Sequence, residues 1–374
     1  MGETFTPIGS IELREVAIPL LELFETRYGV EHSKHALLVL LRKSDTIAFS
    51  ECVAGTGQSY NEETVVSAKQ IIKNQLAPIL LKERLKSPTD FLEAAKRVRG
   101  SNMAVAAIEM ALWDLQGKIE GVSMSRLFAG VREKVDACAT VGLHPTPRQL
   151  VQRVNEFVTQ GYHAVKLKIK PGFDVEYVQA VRAKFPDISL RADANGAYRF
   201  EHPSLNRLDK LGLSSIEQPL AQDDLTGHSK LQKKLSTPIC LDESIQSPHD
   251  AKGAIEMEAC RVINIKPGRV RGMSPSREIH DICIDHKIPV LCGGMLETGI
   301  GRAFNVALAT LPGFTLPSDL SASNRYFKKD LIKNEFELSP DGKLTVPTGT
   351  GCGVMVDESY LASITISREV LTRT

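Results

Sequence analysis

Ionisable residues recur at nearly equal intervals through the middle of the chain. Lys168 is followed by Asp193, Glu217, Asp242 and Lys266, and the successive steps are 25, 24, 25 and 24 residues. Each residue ends or follows a short apolar run, as in HAVKLK, ISLRAD and TPICLD. A single acid at the end of a strand most often caps a helix or joins an ion pair. Five ionisable residues at equal steps instead favour a shared function.

Three of these residues are carboxylates, and carboxylates gathered together repel one another unless a cation neutralises them. Oxygen ligands of this kind suit Mg²⁺ or Mn²⁺, and a set of three leaves coordination positions for water and substrate. We therefore expect Asp193, Glu217 and Asp242 to bind a divalent metal ion. We expect Mg²⁺, with Mn²⁺ as the alternative.

The two lysines supply the other half of the predicted chemistry. Removal of a proton α to a carboxylate builds negative charge on the carboxylate oxygens, where a bound divalent cation stabilises it. A lysine acts as the base only when it is partly deprotonated, and nearby cations such as Lys166 and the metal favour its neutral form. The order Lys168, three acids, Lys266 thus predicts a proton-abstracting enzyme whose substrate carboxylate lies between two amines.

These residues need strands that deliver them to one place. Short apolar runs recur after about residue 134, and helical stretches such as PRQLVQRVNEFVTQGY lie between most of them. Strands that alternate with helices predict βαβ units and a parallel sheet. At least seven such units in succession favour a barrel over a doubly wound sheet, and each step then returns the chain to the same rim. We assign this α/β barrel to residues 131–325.

Both ends of the chain depart from this rhythm. Alternating β-branched stretches at 9–20 and 36–54 predict strands, and the pattern between about 63 and 121 is helical, with Gly121 at its end. Residues 1–130 are therefore expected to form an α+β capping domain. Residues 326–374, which include KLTVPTGTGCGVMVD, predict strands and turns that return to the capping domain.

Composition excludes several classes of protein. Lysine and arginine total 46 and the acids 45, a net charge of +1, which gives no support for a nucleic-acid partner or an anionic membrane surface. No run of 18 apolar residues predicts a membrane span, and the first twenty residues lack the pattern of a signal peptide. The seven cysteines are odd in number and contain no C-x-x-C, as in a protein with reduced thiols. We expect a cytoplasmic protein that acts on a small molecule.

The motifs around these residues resemble the enolase superfamily and, within it, the muconate-lactonising subgroup. The similar segments are KLK at 166–168, DANGAY from Asp193, IEQP around Glu217, LDES around Asp242, NIKPGR around Lys266, ECVAG at 51–55 and the ALWDLQGK helix. The resemblance covers essentially the whole chain. It implies a modified TIM barrel of the (β/α)7β type, an α+β capping domain and a small carboxylate substrate.

The resemblance also implies roles for individual residues. It assigns the acid/base pair to Lys168 and Lys266 and the metal ligands to the three carboxylates. Lys166 is similar to the family lysine that contacts the substrate carboxylate. Asn195 and Glu243 are similar to residues that support the metal ligands.

Other segments resemble one branch of the subgroup, which contains o-succinylbenzoate synthases and N-acylamino acid racemases. Arg269 matches an arginine of that branch. The segments GGMLETGIGR at 293–302 and SDLSASNRYFKKDL at 318–331 are also similar to the corresponding segments of the branch. The branch implies dehydration to o-succinylbenzoate in menaquinone biosynthesis, racemisation of N-acylamino acids, or both. Dipeptide epimerases carry a D-x-D where this chain has Asp319 and Ser321, which counts against that activity. A muconate cycloisomerase and a non-catalytic binding barrel are also compatible with the sequence.

Side-chain specificity is expected to come from the capping domain. By resemblance, a loop near Leu21–Gly29 and the segment Cys52–Tyr60 lie over the mouth of the barrel. Phe24 and Tyr60 are candidate walls of the substrate pocket, and Met295 is a candidate at the seventh strand. The two aromatic residues fit the interior of the cap equally well, so that alternative is open at this point. We also expect the protein to form a homo-oligomer.

Overall fold

The structure, a computed structural model, describes residue 5 and residues 7–373. The first part of the described chain contributes three strands and five helices to the capping domain. They are β1 (Ser10–Thr26), β2 (Gly29–Lys43), β3 (Thr46–Cys52), α1 (Val65–Ile71), α2 (Ala77–Lys82), α3 (Pro88–Ala94), α4 (Asn102–Glu120) and α5 (Met124–Leu127). A π-helical segment, Ile72–Leu76, connects α1 to α2.

Strand β2 shows how an almost continuous apolar run fits into the cap sheet. Successive side chains of a strand point to opposite faces. Leu37 and Val39 pack with the helices of the cap, whereas Ala36, Leu38 and Leu40 belong to the core that is shared with the barrel. The sheet therefore lies between the cap helices and the barrel.

Helix α4 also packs against both domains. Leu112 and Leu115 lie in the core of the cap, whereas Ala106 and Met110 lie in the core of the barrel. The helix ends at Gly121, as the sequence predicts. The φ angle of this glycine is 68°, in the left-handed region that residues with a Cβ rarely adopt.

Seven parallel strands alternate with seven helices in the next part of the chain. The strands follow one another in the sheet in chain order, which confirms the expected barrel. A short strand, β4 (Lys134–Asp136), precedes them. The alternating elements are β5 (Ala139–Val141), α6 (Pro147–Thr159), β6 (Ala164–Lys168), α7 (Val175–Lys184), β7 (Ser189–Asp193), α8 (Pro203–Leu208), β8 (Ser215–Glu217), α9 (Leu225–Lys234), β9 (Ile239–Leu241), α10 (Pro248–Glu256), β10 (Val262–Ile265), α11 (Met273–Asp285), β11 (Val290–Cys292) and α12 (Gly299–Leu308).

An irregular eighth strand, residues 313–320, closes the barrel. It forms parallel bridges to β11 on one side and to the residues just before β5 on the other. The Asp319 N–H donates to the Cys292 carbonyl at 2.8 Å, and the Cys138 N–H donates to the Leu320 carbonyl at 3.0 Å. The architecture is therefore the (β/α)7β form of the TIM barrel, as the resemblance implies.

The last part of the chain contacts both domains. After a short 3₁₀ helix, Ser323–Arg325, strand β12 (Lys343–Thr345) pairs with β4. Helix α13 (Glu358–Ile364) then leads to β13 (Thr365–Thr372), which pairs with β1 at the edge of the cap sheet.

One local prediction was wrong. The segment Leu21–Gly29, expected as a loop, consists mainly of the end of β1. The register between β1 and β2 shifts between Pro19 and Phe24, and this irregularity lets an extended hairpin reach over the barrel. Within the described residues, no helix combines the length and the apolar character that a membrane crossing requires.

Candidate active site

Five of the predicted residues meet at the carboxyl ends of neighbouring barrel strands. Lys168, Asp193 and Glu217 are the last residues of β6, β7 and β8, and Asp242 and Lys266 directly follow β9 and β10. In the sheet, Lys168 lies beside Asp193 and Asp193 lies beside Glu217. Because the strands run parallel, the equal spacing in the sequence places each residue at the same level of the rim.

The three carboxylates form a buried cluster that fits a divalent metal ion. One oxygen from each of Asp193, Glu217 and Asp242 lies within 4.8 Å of the others, and all three residues are fully buried. The buried Oε2 atom of Glu217 accepts no hydrogen bond of good geometry from the described residues, and Arg191 Nε lies 3.2 Å from it. Three clustered carboxylate oxygens match the ligands that hard divalent cations prefer.

The pKa values of these carboxylates differ because their neighbours differ. Burial alone would raise the pKa of Asp193, but Lys168 and Lys166 outweigh burial and hold that pKa below its usual range. Burial alone would also raise the pKa of Asp242, but Arg269 and Lys266, on the other side of the cluster, outweigh burial and lower that pKa. At Glu217, burial and the negative charge of Asp193 raise the pKa to about 8. Lys166 and Arg191 only partly offset this rise in the pKa of Glu217, and a bound cation would favour its charged form.

Barrel side chains hold Lys168. Its Nζ atom lies 2.7 Å from Asp193 Oδ2 and donates to Asn195 Oδ1 at 2.9 Å. The Asn195 amide in turn donates to Glu243 Oε1 at 2.8 Å, so the two predicted supporting residues are connected to each other. Tyr28 of the cap approaches this chain of hydrogen bonds from outside, and its hydroxyl donates to Glu243 Oε1 at 3.3 Å.

Lys266 has a different environment. Its Nζ atom lies 2.9 Å from Asp242 Oδ2 and donates to the Tyr60 hydroxyl, a cap group, at 3.1 Å. Arg269 binds the other oxygen of Asp242 and donates to the Ile245 carbonyl at 2.8 Å. Burial lowers the pKa of Lys266, but Asp242 outweighs burial and raises that pKa well above its usual value. Arg269 lowers this pKa without reversing the net shift.

Two further charged groups, Arg191 and Asp319, belong to the site, and the sequence interpretation assigned neither to it. The Asp319 carboxylate binds both Arg191 and Lys166. The Nζ atom of Lys166 also lies 3.0 Å from Glu217 Oε1 and 3.1 Å from Asp193 Oδ2. Burial lowers the pKa of Lys166, but its three carboxylate neighbours raise that pKa well above its usual value.

Strand alternation was the signal that could have found part of this network. Arg191 lies two residues before Asp193, and Asn264 lies two residues before Lys266. Residues two apart on a strand share a face, so both point into the barrel below the rim. Asn264 donates to Glu217 Oε1 at 3.0 Å. A polar residue inside an otherwise apolar parallel strand was the visible sign in each case.

A cavity between the cap and the barrel opens onto these groups. The predicted wall residues Phe24, Tyr60 and Met295 all line it. Both domains fix Met295, because its N–H donates to Glu297 Oε2 at 2.8 Å and its carbonyl accepts from Lys34 of the cap at 3.0 Å. The ionisable and amide groups of the barrel that line the cavity include Lys166, Lys168, Asn195, Lys266 and Asp319, together with Glu297 and Arg302.

The arrangement suits proton transfer at a carbon next to a carboxylate. Two amines, Lys168 and Lys266, contact different ends of one carboxylate cluster and line one cavity. Lysine side chains can act as general bases and acids when they reach the reacting carbon. The walls that the cap and the barrel give to this cavity reduce the access of water to such a reaction.

Comparisons with known proteins agree with this geometry. Residues 149–360 match the family profile described as enolase C-terminal domain-like, and residues 26–129 match the mandelate racemase / muconate lactonizing enzyme N-terminal domain. The chain is 42% identical to an o-succinylbenzoate synthase of Geobacillus stearothermophilus over 364 residues, which cover 97% of both chains. It is 41% identical to an N-succinylamino acid racemase of Thermus thermophilus, over 96% of this chain and 97% of the relative.

A solved structure leads to the same assignment. An enolase-superfamily member from Listeria innocua, 41% identical, has a TM-score of 0.94 and covers 98% of this chain and 99% of its own. The chain therefore belongs to the mandelate racemase / muconate lactonizing enzyme family of the enolase superfamily.

Proposed function

We propose that the protein removes the proton α to a substrate carboxylate and acts as an o-succinylbenzoate synthase, as an N-succinylamino acid racemase, or as both. Its similarity over nearly the full length to enzymes of both names supports this assignment. The observation that carries the proposal is the placement of Lys168 and Lys266, which contact opposite ends of one carboxylate cluster and line one cavity.

Asp193, Glu217 and Asp242 would hold the metal ion, which we take to be Mg²⁺, with Mn²⁺ as the alternative. A bound divalent cation supplies positive charge at the substrate carboxylate, where negative charge grows during proton removal. We assign Lys166 to the same carboxylate. Its amine lines the cavity, and its three acidic neighbours keep it charged.

In the synthase reaction, the substrate is a cyclohexadiene carboxylate with a hydroxyl group and a succinyl chain. The neutral amine of Lys168, oriented by Asn195, removes the proton next to the carboxylate, and the C–H electron pair enters an enediolate. The C–O bond to the hydroxyl group then breaks, the ring becomes aromatic, and the Lys168 ammonium protonates the departing oxygen to give water. Lys266 stays protonated and stabilises the enediolate by its charge.

Racemisation is the second candidate, and the near symmetry of the two lysines favours it. Lys168 lies 2.7 Å from Asp193, and Lys266 lies 2.9 Å from Asp242. In this reaction one lysine removes the α-proton of an N-succinylamino acid, and the other lysine returns a proton to the opposite face. The two reactions share an enediolate, so one site can serve both.

Asp319 argues against a dipeptide epimerase. Its carboxylate is paired with Lys166 and Arg191, and Ser321, two residues later, carries no charge. Neither residue therefore offers a free acid to the ammonium group of a dipeptide.

The proposal is tested by measuring dehydration and racemisation on one preparation of the protein. We expect a measurable kcat/KM for dehydration of the cyclohexadiene substrate, for racemisation of an N-succinylamino acid, or for both. The ratio of the two constants gives the preferred reaction. Turnover of neither substrate in the presence of Mg²⁺ or Mn²⁺ would overturn the assignment.

We also propose that the protein is a cytoplasmic homo-oligomer. All seven cysteines are buried and free, which suits a reducing compartment. Leu21, Leu23 and Val30, near the turn between β1 and β2, are exposed apolar residues that offer a surface for a contact between copies. Light scattering of the purified protein measures the assembly, and the mass of a single chain would contradict it.

A further inference from the structure

The cap contacts the two acid/base lysines unequally. Barrel side chains account for the described hydrogen bonds of the Lys168 amine, which go to Asp193 and Asn195. The Lys266 amine divides its bonds between the barrel, through Asp242, and the cap, through Tyr60. Only one of the two amines is thus bound directly by the capping domain in the described part of the chain.

Tyr60 is well placed to hold an amine in one direction. Its hydroxyl accepts from Lys266 at 3.1 Å and lies 3.5 Å from the Arg269 guanidinium. The ring packs edge to face against Tyr28, with 5.6 Å between ring centroids, so the side chain is fixed from behind. A flexible lysine side chain with two fixed partners, Asp242 and Tyr60, loses most of its freedom to turn away from the cavity.

Tyr28 provides the natural contrast. Its single hydroxyl proton lies within reach of two acceptors, the Asn195 carbonyl at 3.2 Å and Glu243 Oε1 at 3.3 Å. It therefore approaches the Lys168 side of the site, but only through residues that lie between it and the amine. The two cap tyrosines touch each other and serve different halves of the site.

We propose that Tyr60 is a positioning residue for Lys266, so that the cap controls proton transfer on one face of the substrate and leaves the other face to the barrel. This inference rests on the proposed racemase and synthase function. It implies that racemisation, which needs both lysines, depends on Tyr60 more strongly than dehydration, in which Lys168 alone moves protons.

Exchange of the α-proton with deuterated water separates the two faces. Each lysine takes the α-proton from one enantiomer, and the C–H electron pair enters the enediolate. The resulting ammonium exchanges its proton for a solvent deuteron and delivers that deuteron to the same face of the carbon, so a C–D bond replaces the C–H bond without inversion. Lys168→Ala and Lys266→Ala variants, each of which keeps one base, assign an enantiomer to each lysine.

The decisive variant is Tyr60→Phe, which keeps the aromatic ring and removes the hydroxyl. Loss of this hydrogen bond is expected to slow exchange of the enantiomer that faces Lys266 by about threefold to tenfold. Exchange of the other enantiomer and the kcat of dehydration should fall by a smaller factor than exchange on the Lys266 face, because Lys266 transfers no proton in either process. An unchanged melting temperature shows that the variant is folded.

Tyr28→Phe is the matched control, because it removes a hydroxyl from the partner ring. We expect its larger effect on the enantiomer that faces Lys168, through Asn195. Opposite preferences in the two variants support the inference. An equal loss on both faces in Tyr60→Phe, or no loss on the Lys266 face, would overturn it while the proposed function stands. Absence of exchange from either enantiomer in the unmodified protein would overturn the proposed racemisation and the role of Tyr60 together.

Discussion

Buried carboxylates occur in two regions of this molecule and serve different purposes there. At the barrel rim, Asp193, Glu217 and Asp242 lie within 4.8 Å of one another and face side-chain cations. At the interface between the cap and the barrel, glutamates of the cap accept from backbone N–H groups of barrel helices, and one of them, Glu51, also lies 3.6 Å from Lys34.

Glu109 and Glu51 are the interface glutamates. Glu109, on α4, accepts from the N–H groups of Met273 at 2.8 Å and Ser274 at 2.9 Å, at the beginning of α11. Glu51, at the end of β3, accepts from the Thr298 N–H at 3.0 Å, at the beginning of α12. The first N–H groups of a helix have no partner within the helix, and that end carries a partial positive charge. These glutamates therefore dock the cap onto the barrel.

The difference lies in what surrounds each oxygen. Both oxygens of Glu109 accept hydrogen bonds from fixed donors, whereas Glu217 lies in a cluster of three carboxylates within 4.8 Å of one another. A single carboxylate with fixed donors is structural, and a group of three close carboxylates can bind a cation. Burial of an acid alone does not identify a functional site; the number and kind of its neighbours do.

Removal of the metal should give the largest effect, because it leaves the rim carboxylates without the cation that the cluster fits. EDTA is expected to lower both activities by at least about 10⁴-fold, since a divalent cation contributes several kcal/mol at the developing charge. Added Mg²⁺ should restore turnover, as measured by kcat for either substrate. Full activity after exhaustive chelation would remove the metal from the proposal.

Lys168→Ala should give the next largest effect. Loss of a general base lowers turnover by about 10²- to 10⁴-fold, and both reactions need this amine in our scheme. The control is Lys210→Ala, which removes the same positive charge at an exposed position outside the site. Normal dehydration in the Lys168 variant would show that another group is the base.

Lys266→Arg separates the two reactions. Arginine keeps the positive charge but does not deprotonate in proteins, so racemisation should fall by about 10²-fold or more. Dehydration should keep a substantial part of its kcat, because there Lys266 acts only through its charge. Equal losses in both assays would mean that Lys266 also transfers a proton during dehydration.

Glu109→Ala should have the smallest effect on chemistry and the clearest effect on stability. It leaves the Met273 and Ser274 N–H groups without their acceptor, and the Trp113 indole keeps only Ser274 Oγ as a partner. Unsatisfied buried donors of this kind are expected to lower the free energy of unfolding by about 2–4 kcal/mol. Urea unfolding measures the loss, and Glu278→Ala, at an exposed position of α11, is the control. A change in the ratio of the two activities with unchanged stability would contradict the structural role of Glu109.

The sequence predicted the rim better than the interface, for a physical reason. Lys168, Asp193 and Glu217 are each one βα unit from the next, so regular spacing was enough to bring them together. Glu109 and its partner Met273 belong to different domains, and no local pattern reports such a pair.

Asp319 is an intermediate case. It lies on the irregular eighth strand, and its partners Lys166 and Arg191 become its neighbours only when the barrel closes. Arg191 itself could have been identified, because it shares the strand face of Asp193. The loop at Leu21–Gly29 was expected from the family resemblance, whereas these residues mainly extend β1, whose register with β2 shifts between Pro19 and Phe24.

The pairing of β13 with β1 brings the two ends of the described chain together, with Ser10 opposite Thr372. A ribosome adds about 5–20 residues per second, so β1 waits on the order of tens of seconds for this partner to be synthesised. The barrel can close before that strand emerges, but one edge of β1 then presents unpaired N–H and C=O groups to other nascent chains. The step of synthesis most exposed to aggregation is therefore the delay before β13 covers the edge of β1 in the cap. A chaperone that binds this edge would protect the chain during that delay.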